Sequence, residues 1–136
     1  MPDVVLGFDF GMKRIGVAVG QTITDQARPL TTLTAIQGLP NWAEVDELIH
    51  QWQANALIVG IPTTVNNQVQ YTTEAARQFA EQLRQQFHLP VHEVDERFST
   101  VAARQQVFEH GGYSRLTKTE IDAVAAQLII EHWFHS

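Results

Sequence analysis

An α/β fold, a mixed five-stranded sheet flanked by helices, is what the sequence predicts. Three observations carry it. Apolar runs of strand length come first and lie close together, as antiparallel hairpins require. Strand-like and helix-like stretches then alternate, as parallel crossovers require. The chain closes on stretches with helical spacing. At 136 residues, with 44% hydrophobic and 18% charged residues, it is expected to form one domain over residues 1–136 with a real core.

The elements follow in order. "VVLGFDF", residues 4–10, is a first strand, and "RIGVAVG", 14–20, a second, with "GMK" between them as a hairpin turn. "ARPLTTL", 27–33, is a third, where Pro29 marks an edge or a strand start. The period then changes. Asn41 is a good N-cap with Glu44 three residues on, and Trp42, Val45, Leu48, Ile49 and Trp52 recur at helical spacing. "ALIVGIP", 56–62, is continuously apolar, as a buried parallel strand is. A polar loop leads to a helix over 72–87 with Ala75, Ala76, Phe79, Ala80 and Leu83 on one face. "LPVHEVD", 89–95, is the fifth strand. Ser99 caps a helix that stops at Gly111 and Gly112. Thr117 and Glu120 form a capping box for the last helix, whose stripe is Ile121, Val124, Ala125, Leu128, Ile129 and Trp133.

Composition removes several function classes. There is no cysteine, which excludes disulfides and thiolate zinc sites and suits a reducing, cytoplasmic location. The N-terminus reads as a strand rather than a signal peptide, and no apolar run approaches membrane-spanning length. The net charge of −6 speaks against a generally basic, nucleic-acid-coating surface. It leaves room for a local basic rim around a site that holds cations. Lysine and arginine are absent from 41–68, which carries three acids.

The carboxylates are the informative residues. Asp9 ends the first strand inside a run with no other charge, where a carboxylate is costly unless paired or cation-bound. A turn-capping aspartate is the ordinary alternative. Glu96 ends the fifth strand, and ligands gather at the C-terminal ends of parallel strands. Asp95 and Glu96 point to opposite faces, so only one of them is a direct ligand. Asp122 lies in the first turns of the last helix and borders its apolar stripe, so it should face inward at the sheet edge, where Ala123, Ala125 and Ala126 keep the helix thin. Stabilisation by the helix dipole would also account for it. Three carboxylates without a His/Cys cluster suit oxygen-ligated Mg²⁺ or Mn²⁺ and metal-assisted phosphodiester hydrolysis.

"GFDFGMKRIGVAVG", "ALIVGIP", "VDERFSTVAAR", "FEHGGY" and "KTEIDAVAAQLIIE", in that order, span nearly the whole chain. Together they resemble the YqgF/RuvX family of pre-16S rRNA nucleases, also called Holliday-junction-resolvase-like proteins. The resemblance implies a ribonuclease-H-like fold and a metal-dependent nuclease that processes the 5′ end of pre-16S rRNA in ribosome biogenesis. Asp9, Glu96 and Asp122 match the family's acidic positions, and Lys13, Arg14, Arg97 and Thr100 belong to its motifs around the cleft. The expected partner is nucleic acid, pre-rRNA ahead of DNA, with ribosomal particles and without a membrane. Arginine suits bidentate phosphate contact, so Arg14 and Arg97 are expected to bind phosphate.

Two departures stand out. Asn66-Asn67 follows "IVGIP" where the family commonly has Asp-Gly, and asparagine tolerates the left-handed turn. "LIVGIP" also lacks the fourth-strand acid of other ribonuclease-H-like nucleases, so Glu96 on the fifth must substitute. Three rivals remain: a resolvase acting on DNA, a non-catalytic RNA-binding module on the same fold, and an actin-like ATPase. The last shares "DFGMKRIG" but needs a second phosphate loop and more chain. His132 and His135 read as ordinary helix-end residues rather than a metal pair, and His92 as a strand side chain. Trp42, Trp52, Trp133 and Phe108 read as core.

Overall fold

Strand-length apolar runs cannot satisfy their own backbone groups and must pair with one another. In the computed structural model, which describes residues 3–62, 71–96 and 118–136, they do so in a single sheet. The strands are β1 (Val4–Asp9), β2 (Arg14–Gln21), β3 (Gln26–Ile36), β4 (Leu39–Pro40), β5 (Ala56–Ile61) and β6 (Val91–Asp95). Their spatial order is β4-β3-β2-β1-β5-β6. The first four neighbours pair antiparallel through short turns, whereas β5 joins β1, and β6 joins β5, in parallel. The expected mixed sheet is therefore present, with six strands among the described residues rather than five. The extra one, β4, is two residues that pair with Ala35 and Ile36, too short to carry any alternation. Strand β3 runs three residues beyond the expected end, and Pro29 does sit where the strand faces no long neighbour on its outer side.

Three helices are described: α1 (Trp42–Trp52), α2 (Tyr71–Phe87) and α3 (Lys118–Phe134). Asn41 caps α1 as expected, its side chain accepting the Ala43 N–H at 3.0 Å. The Ser99 helix with its Gly111-Gly112 stop, Thr117, Phe108 and the Asn66-Asn67 turn lie outside the described residues.

The period of two along each strand sorts side chains into two cores. Leu6 and Phe8 of β1, Val17 and Val19 of β2, and Leu57, Val59 and Ile61 of β5 face α1 and α2. Phe79 of α2 anchors that side, with ring centroids 5.6 Å from Phe8, 5.4 Å from Phe10 and 5.8 Å from Trp42. Trp42 thus belongs to the core, half-buried, as its spacing predicted; Trp52 packs on the same cluster while Arg28 lies 4.9 Å over its ring. The opposite face is lined by small residues. Val5, Ala18, Ala56, Ile58 and Val94 meet Ala126, Ile129 and Ile130 of α3. No helix among the described residues is long and apolar enough to cross a membrane.

The face α3 presents differs from the expected one. Ala123, Ala125, Ala126, Ile129 and Ile130 are buried, but Ile121, Val124 and Leu128 are only half-buried. The helix is apolar on nearly every side, so its sequence gives no phase. Its start lies over β2, an interior strand, and not at a sheet edge: a Cβ on Gly16 would overlap the Asp122 carbonyl.

Candidate active site

The same alternation decides which acids meet. Asp9 continues the row Val5, Gly7 on β1, and so faces α3. Gly16 on β2 and Gly60 on β5 stand opposite Asp9 in the two ladders. Glu96 follows Val94 by two on the β6 side, and its N–H donates to the Ile61 carbonyl at 3.0 Å. Glu96 therefore turns toward α3, while Asp95, one residue earlier, is exposed. Asp122 comes down onto this row from the first turns of α3. Asp9, Glu96 and Asp122 line one cleft of about 310 Å³, together with Lys13 of the hairpin turn and Arg14, the first residue of β2. Thr73 of α2 donates its hydroxyl to the Pro62 carbonyl, which fixes the chain where it leaves β5 at the cleft rim.

The three carboxylates feel one another. Burial pushes the Asp9 carboxyl up from 3.8 to about 7, and the negative charges of Asp122 and then Glu96 add to the rise. Two of the three are met by protein cations or donors. Arg14 Nε donates to Asp122 Oδ2 at 2.7 Å. His132 Nδ1, near the end of α3, lies 3.0 Å from Glu96 Oε1. This His132 contact was missed by the reading of His132 as a plain helix-end residue. Two elements far apart in sequence create it, and no local pattern signals such a meeting. His135 lies in the turn that follows, its N–H bonded to the His132 carbonyl at 3.2 Å.

Whether the residues suit a metal is a question of donor kind and arrangement. The kind fits: all three are oxygen donors, and a buried acid beside two like charges is relieved by a cation. As arranged, no three His, Cys, Asp or Glu side chains among the described residues are placed so as to hold an ion. Neighbourhood and field are shared; a closed shell is not. Arg14, expected at phosphate, is partly engaged by Asp122. Lys13 is exposed at the rim. Arg97 and Thr100 lie outside the described residues.

The fold is that of the RuvC-type, ribonuclease-H-like proteins. The chain superposes on Thermus thermophilus RuvC bound to a Holliday junction substrate with a TM-score of 0.58 at 20% identity, covering 97% of this chain and 93% of that one. The fowlpox virus resolvase in complex with Holliday junction DNA gives 0.57 at 11% identity, covering 98% and 99%. At such identities the likeness speaks for the fold. The chain belongs to the RuvX family: the family model described as "RuvX: Holliday junction resolvase" matches residues 3–136. Similar proteins named "Putative pre-16S rRNA nuclease" include one from Legionella pneumophila (strain Lens), 56% identical over 96% of this chain and 94% of that protein. Another, from Shewanella oneidensis, is 48% identical over 97% and 94%. The family resemblance read from the motifs is thereby borne out.

Proposed function

We propose that this protein is a metal-dependent endonuclease that cuts phosphodiester bonds of pre-16S rRNA, processing its 5′ end in the cytoplasm, with ribosomal particles as partners. The observation that carries the reading is the single cleft in which Asp9, Glu96 and Asp122 meet beside Lys13 and Arg14. The relatives' names support the substrate. Mg²⁺ or Mn²⁺, held by Asp9, Glu96 and Asp122, would supply an activated water and charge neutralisation at the leaving oxygen. The chain's own groups do the rest. Asp9, whose carboxyl burial pushes up to about 7, anchors the cation. Lys13 and Arg14 bind the flanking phosphates, a role that extends to Arg97 and Thr100, which lie outside the described residues. Against the chain's net charge of −6, these local cations and a bound metal would make phosphate approach at the cleft favourable.

The test is cleavage of a pre-16S rRNA fragment and of a four-way DNA junction in Mg²⁺ or Mn²⁺, each with a chelator control. Cleavage of the RNA that stops in chelator is expected. Cleavage that persists in chelator overturns the metal mechanism. Preferential cutting of the junction assigns the cleft to DNA. Failure to cut either with any metal supports the non-catalytic binding module.

Arg14 distinguishes phosphate binding from a purely structural ion pair. Its side chain is 42% exposed in the pair with Asp122, so the pair adds little to stability. Arg14→Ala is expected to weaken RNA binding and lower the slope of log affinity against log salt by about one. Titrations at several salt concentrations measure it. An unchanged slope with a collapsed thermal midpoint would make Arg14 a structural residue.

A further inference from the structure

Glu96 is nearly buried, with 7% of its side chain accessible, yet it reaches the cleft from a strand end through a flexible stem. We propose that His132 is a positioning residue: by holding one oxygen of the Glu96 carboxylate, it restricts how the other can meet a divalent cation at the cleft. This rests on the metal-dependent reading above and deepens it.

Several features hold the arrangement together. The Glu96 backbone is pinned to Ile61 at 3.0 Å. Its stem passes over Gly60, where a Cβ would stand 3.0 Å from Glu96 Cγ and would also overlap the Ile129 side chain. The absent Cβ opens that path between sheet and helix. At its far end, Glu96 Oε1 lies 3.0 Å from His132 Nδ1. A carboxylate only accepts, so Nδ1 must carry the proton and the ring is the donor. The turn of α3 that bears His132 is itself anchored. The neighbouring Trp133 packs on the His92 ring at 5.2 Å and on Phe134 at 5.7 Å.

An ordinary surface ion pair is the competing account. The Arg84–Glu81 pair on α2 is of that sort, with side chains 36% and 56% exposed. The Glu96 carboxylate differs because it is nearly buried and lines the cleft beside Asp9. A buried carboxylate fixed at one oxygen loses rotational freedom and has fewer orientations to sample before it meets a cation. Partners that orient metal-binding side chains in this way typically change metal affinity by about 10–100-fold when removed.

The experiment reads Mn²⁺ binding directly, by the loss of the free-ion electron paramagnetic resonance signal, on the full chain and its variants. His132→Ala is expected to weaken Mn²⁺ binding by about tenfold. His132→Asn, whose amide N–H can replace Nδ1–H, is expected to restore most of it. Thermal midpoints without metal should stay close to wild type for both variants, which separates positioning from a structural role. Wild-type affinity in His132→Ala overturns the proposal and leaves the metal mechanism standing. Equal weakening in both variants overturns it too, since the donor would then be irrelevant. Should the wild-type protein bind no Mn²⁺, the metal mechanism fails and this proposal with it.

Discussion

Asp9→Asn is expected to remove metal-dependent RNA cleavage while raising the thermal midpoint of the metal-free protein at neutral pH. Loss of a direct ligand should lower turnover by at least about a hundredfold, more than the loss of an orienting partner does. The gain in stability follows from burial. Asp9 is raised to about 7 in the fold from 3.8, first by burial and then by Asp122 and Glu96. Below pH 3.8 the group is neutral in both states and costs nothing. As pH rises from there to about 7, the unfolded chain releases the proton and the folded chain keeps it, so stability falls. Above about 7 the charge is carried in the fold and the penalty is complete. A rise from 3.8 to about 7 corresponds to a ceiling of roughly 4 kcal/mol, which relaxation of the open cleft reduces. Melting curves in chelator from pH 5 to 8 should show the midpoint gap between variant and wild type widening with pH. An Asn variant that is less stable at pH 8, or that still cleaves, would sink the assignment of Asp9.

Gly16→Ala is expected to cost the fold roughly 3 kcal/mol, the upper end of overpacking, and to abolish activity with it. A Cβ there would overlap the Asp122 carbonyl and stand 2.9 Å from the Ala123 nitrogen. Both are backbone atoms of a helix and cannot rotate aside as a side chain would. Helix α3 must lift, and Asp122 leaves with it. Gly16 is the ladder partner of Asp9, so the lift opens the cleft at its base. Gly60→Ala is the milder comparison, since its close contacts are the ends of the Ile129 and Glu96 side chains. Thermal melts measure the first effect, and the cleavage assay the second. A Gly16→Ala protein as stable as wild type would mean that α3 does not sit on β2 as described.

Much of this arrangement was legible in the sequence, for identifiable reasons. The strand runs and the Asn41 cap are local signals, and local backbone physics enforces them. Asp9 was conspicuous as a charge ending an apolar run, and Glu96 as an acid at the C-terminal end of a strand. Parity along β6 then explains why Glu96 rather than Asp95 turns to the cleft. What escaped depends on contacts between distant segments. The two residues of β4 are strand only because β3 lies beside them. The face of α3 could not be phased because apolar residues surround it. The meeting of His132 with Glu96 requires α3 to cross the sheet at one particular angle, set by glycine and alanine on β1, β2 and β5.

That crossing also fixes when the cleft comes into being. Arg14 and the Asp122 it holds are 108 residues apart, and α3 is made after every strand it covers. A nascent chain emerging from the ribosome carries Asp9 early, with the Val5–Ala18–Ile58 surface not yet covered by α3. Docking of α3 covers that surface and brings in Asp122 in one event. In the growing chain the cleft therefore lacks Asp122 until the last helix has been made and docked.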